Sequence, residues 1–330
     1  MSNYLDGLAK VAFFERRDNL PWLASVMNLM AVVGIDMDIF LHLSIEDAIN
    51  VFFNNLVQRF GDYFQGFSAF VLKWILVPIE LALKGTPAIL ILAVVGWLAW
   101  VGSKRLSMSV VLVGLLYLIG CFGLWDKLLQ TLAIMLVSTT LAVMLGLPLG
   151  ILMSRSLWLR SGVSPVLDMM QTLPTFVYMI PVLMLFGLGK VPAIIATVIY
   201  ALPPLVRLTD LGIRQVPEDI VEAGKSFGCT QTQLLLKIQL PLARPSIMAG
   251  INQSVMMALG MIVIASMIGA RGLGEDVLAG INNLDIGRGL QAGLAIVILA
   301  IVIDRISQAF GKGRRHRAVM AKKQKRVALA

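Results

Sequence analysis

The chain has 330 residues, 58% of them hydrophobic and 14% charged, with a mean hydropathy of +0.84 and a formal net charge of +9. A soluble globular domain is usually about a quarter charged, so this composition excludes an ordinary water-soluble fold and calls for lipid as the solvent. Cys121, Cys229, His42 and His316 have no ligand-like neighbours in sequence and point to neither a disulfide framework nor a metal site.

The charge is unevenly placed. Met1 to Lys84 carries six Lys/Arg against nine Asp/Glu, whereas Gly311 to Ala330 carries eight Lys/Arg and no acid. Beside several apolar runs, that tail (311–330) reads as a cytoplasmic anchor or a patch for anionic membrane lipid. It does not read as a nucleic-acid site.

The first segment, 1–63, is expected outside the cytoplasm. Pro21 to Gly34 is apolar but short for a span, and Glu15 and Asp18 precede it, which argues against a cleavable signal. From Ile45 to Phe60, Ile45, Ala48, Ile49, Phe52, Phe53 and Leu56 recur at helical spacing between polar residues, which predicts an amphipathic helix. Residues 64–84 predict a second one lying along the membrane interface, because Lys73, Glu80, Lys84 and Pro78 make a poor span.

Seven spans are expected next: Pro87 to Val101, Met108 to Phe122, Asp126 to Met153, Val166 to Leu188, Pro192 to Leu211, Pro245 to Ala270 and Leu290 to Phe310. Leu128 to Met153, Met169 to Leu188 and Pro245 to Ala270 contain no charge. Each reaches the ~20 residues that cross a ~30 Å hydrocarbon core. The first two spans form an accessory region, 85–124, and the other five a core, 125–310. If the spans alternate, Lys104, Arg105, Arg155, Arg160, Arg207, Arg214 and the tail fall on one side. The positive-inside rule makes that side cytoplasmic, with the C-terminus inside and the N-terminus outside. Leu173-Pro174-Thr175, Ile180-Pro181, Gly187-Leu188-Gly189 and Leu202-Pro203-Pro204 are expected to break or kink helices at membrane depth, as a transport path requires.

One connection, 212–244, is long and strongly patterned. Pro217 can open a helix with Glu218 and Asp219 at its positive end, and Gly228 can close it. Thr230 or Thr232 can cap a second helix, Gln231 to Gln239, which Pro241 is expected to stop. Ile220, Val221, Phe227, Leu234, Leu235, Ile238 and Leu240 would give this pair an apolar side suited to docking in a groove.

Here the residues resemble a family. Glu222-Ala223-Gly224, three residues, Gly228, nine residues and Ile238-Gln239-Leu240-Pro241 match the EAA signature of ABC importer permeases, with Gly224 where Ala is usual. Asp168 to Tyr178, Tyr200 to Thr209, Val263 to Ile268, Gly272-Leu273-Gly274 and Ile298 to Arg305 look like the permease of glycine betaine/proline importers. The resemblance spans about Pro87 to Phe310.

It implies an all-α polytopic membrane protein of the bacterial inner membrane, with the type I importer permease fold: a five-helix core plus extra N-terminal helices. It also implies that the EAA loop couples to a separate ATP-binding subunit through Glu222, Ala223, Gly224, Gly228, Ile238, Leu240 and Pro241. An extracytoplasmic solute-binding protein and a second permease copy are the other implied partners. No GxxxxGK[ST] phosphate loop occurs in the chain, so it is expected to be no enzyme and to bind no cofactor, with ATP and Mg on the partner.

For the path, Thr172, Pro174, Thr175, Tyr178, Asn252, Gln253 and Met256 are the candidates. Polar groups within spans are costly and often functional, and Tyr178 could meet a cation by its ring face. Choline, carnitine, proline or another amino acid are alternative solutes. An ion-coupled carrier is the alternative of another class; it needs mid-span carboxylates or inverted repeats, and Asp210 and Asp304 sit near span ends instead.

Overall fold

The computed structural model describes residues 45–311. Residues 1–44, with the Pro21 to Gly34 stretch and His42, and residues 312–330, with most of the basic tail and His316, lie outside the described residues. The chain divides after Phe52 into two compact units. In the first, residues 46–52 are helical and exposed; the account below concerns the second.

The expected pair of amphipathic helices is one continuous rod: α1 (Ile45–Phe70), a π-helical segment (Val71–Leu76) and α2 (Val77–Gly85). Gly61, Asp62 and Tyr63 do not interrupt it, because a lone glycine weakens a helix by only about 1 kcal/mol and no proline comes before Pro78. Glu46–Gly85 is long and apolar enough to cross a membrane by length and composition. Its contacts point elsewhere. The Phe64 ring meets Phe186 edge-on at 5.2 Å, and Glu80 pairs with Lys190 at 2.5 Å. Phe64 and Glu80 lie about 24 Å apart along a helix, yet Phe186 and Lys190 flank one short turn. The part of the rod from Phe53 to Gly85 therefore runs across that end of the bundle.

The helices α3 (Ala88–Ser103) and α4 (Leu106–Cys121) are 16 residues each, about 24 Å, and pack against later helices. After them come α5 (Trp125–Arg155), α6 (Leu157–Thr172), α7 (Thr175–Phe186), α8 (Lys190–Arg214), α9 (Glu218–Ser226) and α10 (Gln231–Gln233). A second π segment (Leu234–Gln239) leads into α11 (Leu240–Ser266), followed by α12 (Leu273–Asn282) and α13 (Ile286–Gly311). No strand occurs among the described residues.

The expected punctuation holds at some sites and not at others. The break expected at Leu173-Pro174-Thr175 occurs: α6 and α7 bend by 101° there, where proline removes a backbone donor and holds Leu173 extended. Leu202-Pro203-Pro204 does not end α8, nor Pro181 α7. Beside the proline pair, the Ser254 hydroxyl of α11 donates to the Ala201 carbonyl at 2.5 Å. Counted by length and composition, five helices among the described residues can cross a membrane, or six with the bent pair, and α3 and α4 are shorter apolar helices.

The core centres on α8, packed between α5 and α11. Small residues bring these helices close, as is usual between membrane helices. A Cβ on Gly150 would lie 2.8 Å from the Val206 carbonyl oxygen, and one on Gly212 2.6 Å from the Ser246 Cβ. Leu205, Val206, Ile194 and Met261 are fully buried there. The outer rims of the bundle carry exposed Leu90, Val110, Leu145, Leu152 and Val297, as a lipid-facing surface should.

Candidate coupling surface and translocation path

The patterned connection folds as a self-capped unit. Pro217 precedes α9, with Glu218 and Asp219 in its first turn. Its C-terminus closes in a Schellman arrangement: the Cys229 N–H donates to the Gly224 carbonyl at 3.1 Å and the Gly228 N–H to Lys225 at 2.9 Å, with Gly228 at φ 77°. Thr230 and Gln233 then form a reciprocal capping box, the Gln233 N–H donating to the Thr230 hydroxyl at 3.3 Å and the Thr230 N–H to the Gln233 side chain at 3.0 Å.

The expected stop at Pro241 does not occur. Residues Gln231–Ser266 form one helical run, so the second helix of this connection and the following apolar helix are a single rod. The cause is the π segment, which ends two residues ahead of Pro241, with the Leu240 N–H reaching back five residues to Leu235. A proline ring in an α-helix strikes the carbonyl four residues earlier; a widened turn moves that carbonyl aside. The same device precedes Pro78, where Val77 donates to Leu72.

The apolar side of the loop is divided. Leu234 and Leu235 are buried, and Leu235 joins Ile213 and Ala243 with Ile151 and Leu240 packed around them. Ile238 turns inward with Leu234 onto α9, where a Cβ on Gly224 would lie 2.7 Å from Ile238 Cδ1 and 2.8 Å from Leu234 Cδ1. Both atoms are the ends of flexible side chains, so the approach suits glycine at the motif's third position without requiring it. Phe227 stays 89% exposed at the tip; Ile220, Glu222 and Ala223 are also open, and Pro241 is exposed on the rod. Arg155, at the end of α5, donates to the Gln231 backbone and side-chain carbonyls at 3.3 and 3.4 Å. Asp210 of α8 is buried between Arg214 (3.0 Å) and Arg160 of α6 (3.6 Å). The loop is thus tied to three helices of the bundle.

The path candidates fall in two groups, one at the α6–α7 bend and one on α11, and α8 packs against both α7 and α11. Thr172 and Pro174 are exposed at the α6–α7 bend, Thr175 is half-buried, and the Thr172 hydroxyl donates back to the Asp168 carbonyl at 2.9 Å. Tyr178 is half-buried, and its hydroxyl has no hydrogen-bond partner among the described residues. On α11, Gln253 and Met256 are exposed. Asn252 instead donates to Asp304 of α13 at 3.0 Å, and Asp304 also accepts from Gln308, a helix-to-helix contact. The ion pair of Arg207 with Asp168, joining α8 to α6, was not among the candidates. Its signal in the sequence is a lone acid and a lone base, each set in a largely apolar stretch.

At the opposite end α12, an element the sequence did not predict, is pinned by a buried acid. Asp276 accepts from Arg288 (2.9 and 2.6 Å) and pairs with Lys127 at 2.5 Å. Burial pushes its carboxyl up, but the Lys127 and Arg288 hydrogen bonds and charges outweigh that and hold it below the usual carboxylate range. No group of metal-ligating side chains occurs among the described residues.

Comparison with known proteins agrees with this architecture. Residues 142–316 match the family described as "Binding-protein-dependent transport system inner membrane component". The chain is 47% identical over 262 residues to the Escherichia coli (strain K12) "Glycine betaine/proline betaine transport system permease protein ProW", covering 79% of this chain and 73% of that one. It is 44% identical over 272 residues to the Bacillus subtilis (strain 168) "Glycine betaine transport system permease protein OpuAB", covering 82% and 96%. Among solved structures, a chain of the MetNI methionine ABC transporter in an inward-facing conformation aligns with TM-score 0.50 and 25% identity, covering 55% of this chain and 93% of that one. The chain belongs to the family of binding-protein-dependent transport system inner membrane components, the permease subunits of ABC importers.

Proposed function

We propose that this permease carries glycine betaine or a closely related methylated solute into the cell, and that a separate ATP-binding subunit drives it through α9. The solute half is supported by 44–49% identity to glycine betaine permeases. Relatives named for trimethylamine N-oxide and choline stand further off, at 40% and 35% identity. The coupling half rests on one observation: Glu222, Ile220 and Phe227 stand open on a self-capped helix–turn–helix that is anchored to the span bundle only from behind. An exposed phenylalanine beside an acid is what a partner's groove would receive.

In this reading a solute-binding protein delivers cargo on the outer side, and two permease copies enclose the path. ATP and Mg stay on the partner. The coupling loop, the basic ends of α5 and α8 and the C-terminal end of α13 lie on the cytoplasmic side. The rod from Phe53 to Gly85 runs along the outer face, which is consistent with seven crossings after it: α3, α4, α5, the bent α6–α7 pair, α8, α11 and α13. Because Gln231–Ser266 is one rod, a push on the loop moves a span directly. Glu222 would meet basic or backbone donors of the partner.

The test is uptake of labelled glycine betaine by proteoliposomes holding the permease, its ATPase and its binding protein. Wild type is expected to import glycine betaine only with ATP, and Glu222→Ala to lose most of that uptake while still assembling. Uptake without an ATPase would overturn the mechanism, and import of a different solute would correct the cargo alone.

A further inference from the structure

The helix α8 is the most deeply packed candidate span among the described residues, yet one stripe of it is open. Arg207, Leu211 and Arg214 recur at helical spacing in its last two turns and are half-buried or exposed. Arg207 Nη2 donates to Asp168 Oδ1 of α6, and the side chains keep 42% and 60% of their surface open. Arg207 lies about 10 Å before the end of α8. Charges this open inside a span are costly in hydrocarbon and face protein or water instead.

A second observation concerns the backbone. The chain breaks by 101° at Leu173–Pro174, a few residues after Asp168, and Thr172, Leu173 and Pro174 are exposed. Irregular backbone at membrane depth is tolerated where it is buried in protein or lines a water-filled cavity, and here the chain itself does not bury it.

We infer that Asp168 and Arg207 face the translocation path near its cytoplasmic end and form an ion pair that a zwitterionic solute exchanges with. This rests on the reading that the cargo is a betaine-type zwitterion. The Arg207 guanidinium takes the solute carboxylate, to which its planar donors are matched. The Asp168 carboxylate faces the quaternary ammonium, which offers charge and no N–H. Without cargo the two side chains neutralise each other; with cargo each keeps an opposite charge, so no charge is stranded in either state. A cation such as choline satisfies Asp168 only and leaves Arg207 unpaired. The pair therefore filters for zwitterions after the binding protein has selected.

The test uses the assembled transporter in proteoliposomes, with Cys121→Ser and Cys229→Ser as background and either Arg207→Cys or Asp168→Cys added. A membrane-impermeant thiol reagent is expected to modify both cysteines, and glycine betaine to slow each modification several-fold. Choline is expected to protect Arg207→Cys, where Asp168 remains, and not Asp168→Cys. Failure to label, or a disulfide between two copies, would put the pair in lipid or in a copy-to-copy interface and overturn the inference. Labelling indifferent to solute would overturn it too. Should the cysteine variants fail to assemble, uptake by Arg207→Lys is expected to persist and by Arg207→Gln to fall several-fold; equal uptake would count against the exchange. Glycine betaine uptake by the unmodified transporter is measured alongside. Its absence removes the cargo reading and this inference with it, whereas uptake with solute-indifferent labelling removes the inference alone.

Discussion

The two ends of the bundle are built on opposite principles. At the α12 end, a carboxylate 4% exposed is locked between Lys127 and Arg288, the Thr131 hydroxyl accepts from the Leu273 N–H at 2.9 Å, and Gly280 touches Gly289. At the coupling end, order comes from local capping: a Schellman turn, a capping box and short apolar anchors, with Phe227 and Glu222 left open. The first end is stabilised by long-range contacts that nothing needs to replace. The second holds its shape with few of them, so its outward face remains free for a partner.

Substitutions should separate the two ends by size of effect, read as thermal unfolding of the purified protein in detergent. Asp276→Asn leaves two cations facing a buried amide and is expected to lower stability by about 3 kcal/mol. The same carboxyl sets a pH dependence. Its folded-state value lies below its ordinary value, so its contribution is complete above about pH 4 and is lost as pH falls through the lowered value. In Asp276→Asn that acid-side loss should be smaller. An unchanged acid limb would break the contrast.

Gly280→Ala ranks next. Its methyl would lie 2.7 Å from the backbone of Gly289, which cannot swing aside, at a cost of about 2 kcal/mol. In the coupling loop the effects shrink. Gly228→Ala places a side chain at φ 77° and is expected to cost about 1 kcal/mol, with a larger loss in ATPase docking than in melting temperature. Gly224→Ala meets only the terminal methyls of Ile238 and Leu234, which can turn away, and the gain in helix propensity of about 1 kcal/mol offsets it. Its melting temperature should barely move. A large drop would mean that the loop is as tightly packed as the α12 end.

Prolines show why part of the architecture was legible and part was not. Pro217, Gly228 and Thr230 acted as their local chemistry requires, because caps are satisfied within a few residues. Pro174 broke the chain, but Pro78 and Pro241 did not, and each follows a π segment. Pro203 and Pro204 sit inside an unbroken helix flanked by α5 and α11. A proline always removes one donor; whether the helix then ends depends on whether a widened turn or a neighbouring helix makes room. That neighbour is not visible in a local window.

The amino-acid sequence by itself determined the solvent, the helical class, the long apolar segments and the coupling loop with its Glu222 to Pro241 spacing, since these follow from composition, periodicity and local capping. It also carried the family resemblance that the comparisons bear out. Only the tertiary structure decided that residues from Ile45 to Gly85 form one rod, that α6 and α7 part at 101°, and that Gln231–Ser266 is continuous. It also decided which charges meet. Asp168 and Arg207, or Asp276 with Lys127 and Arg288, come from separate helices, and only the packing of those helices brings them within reach.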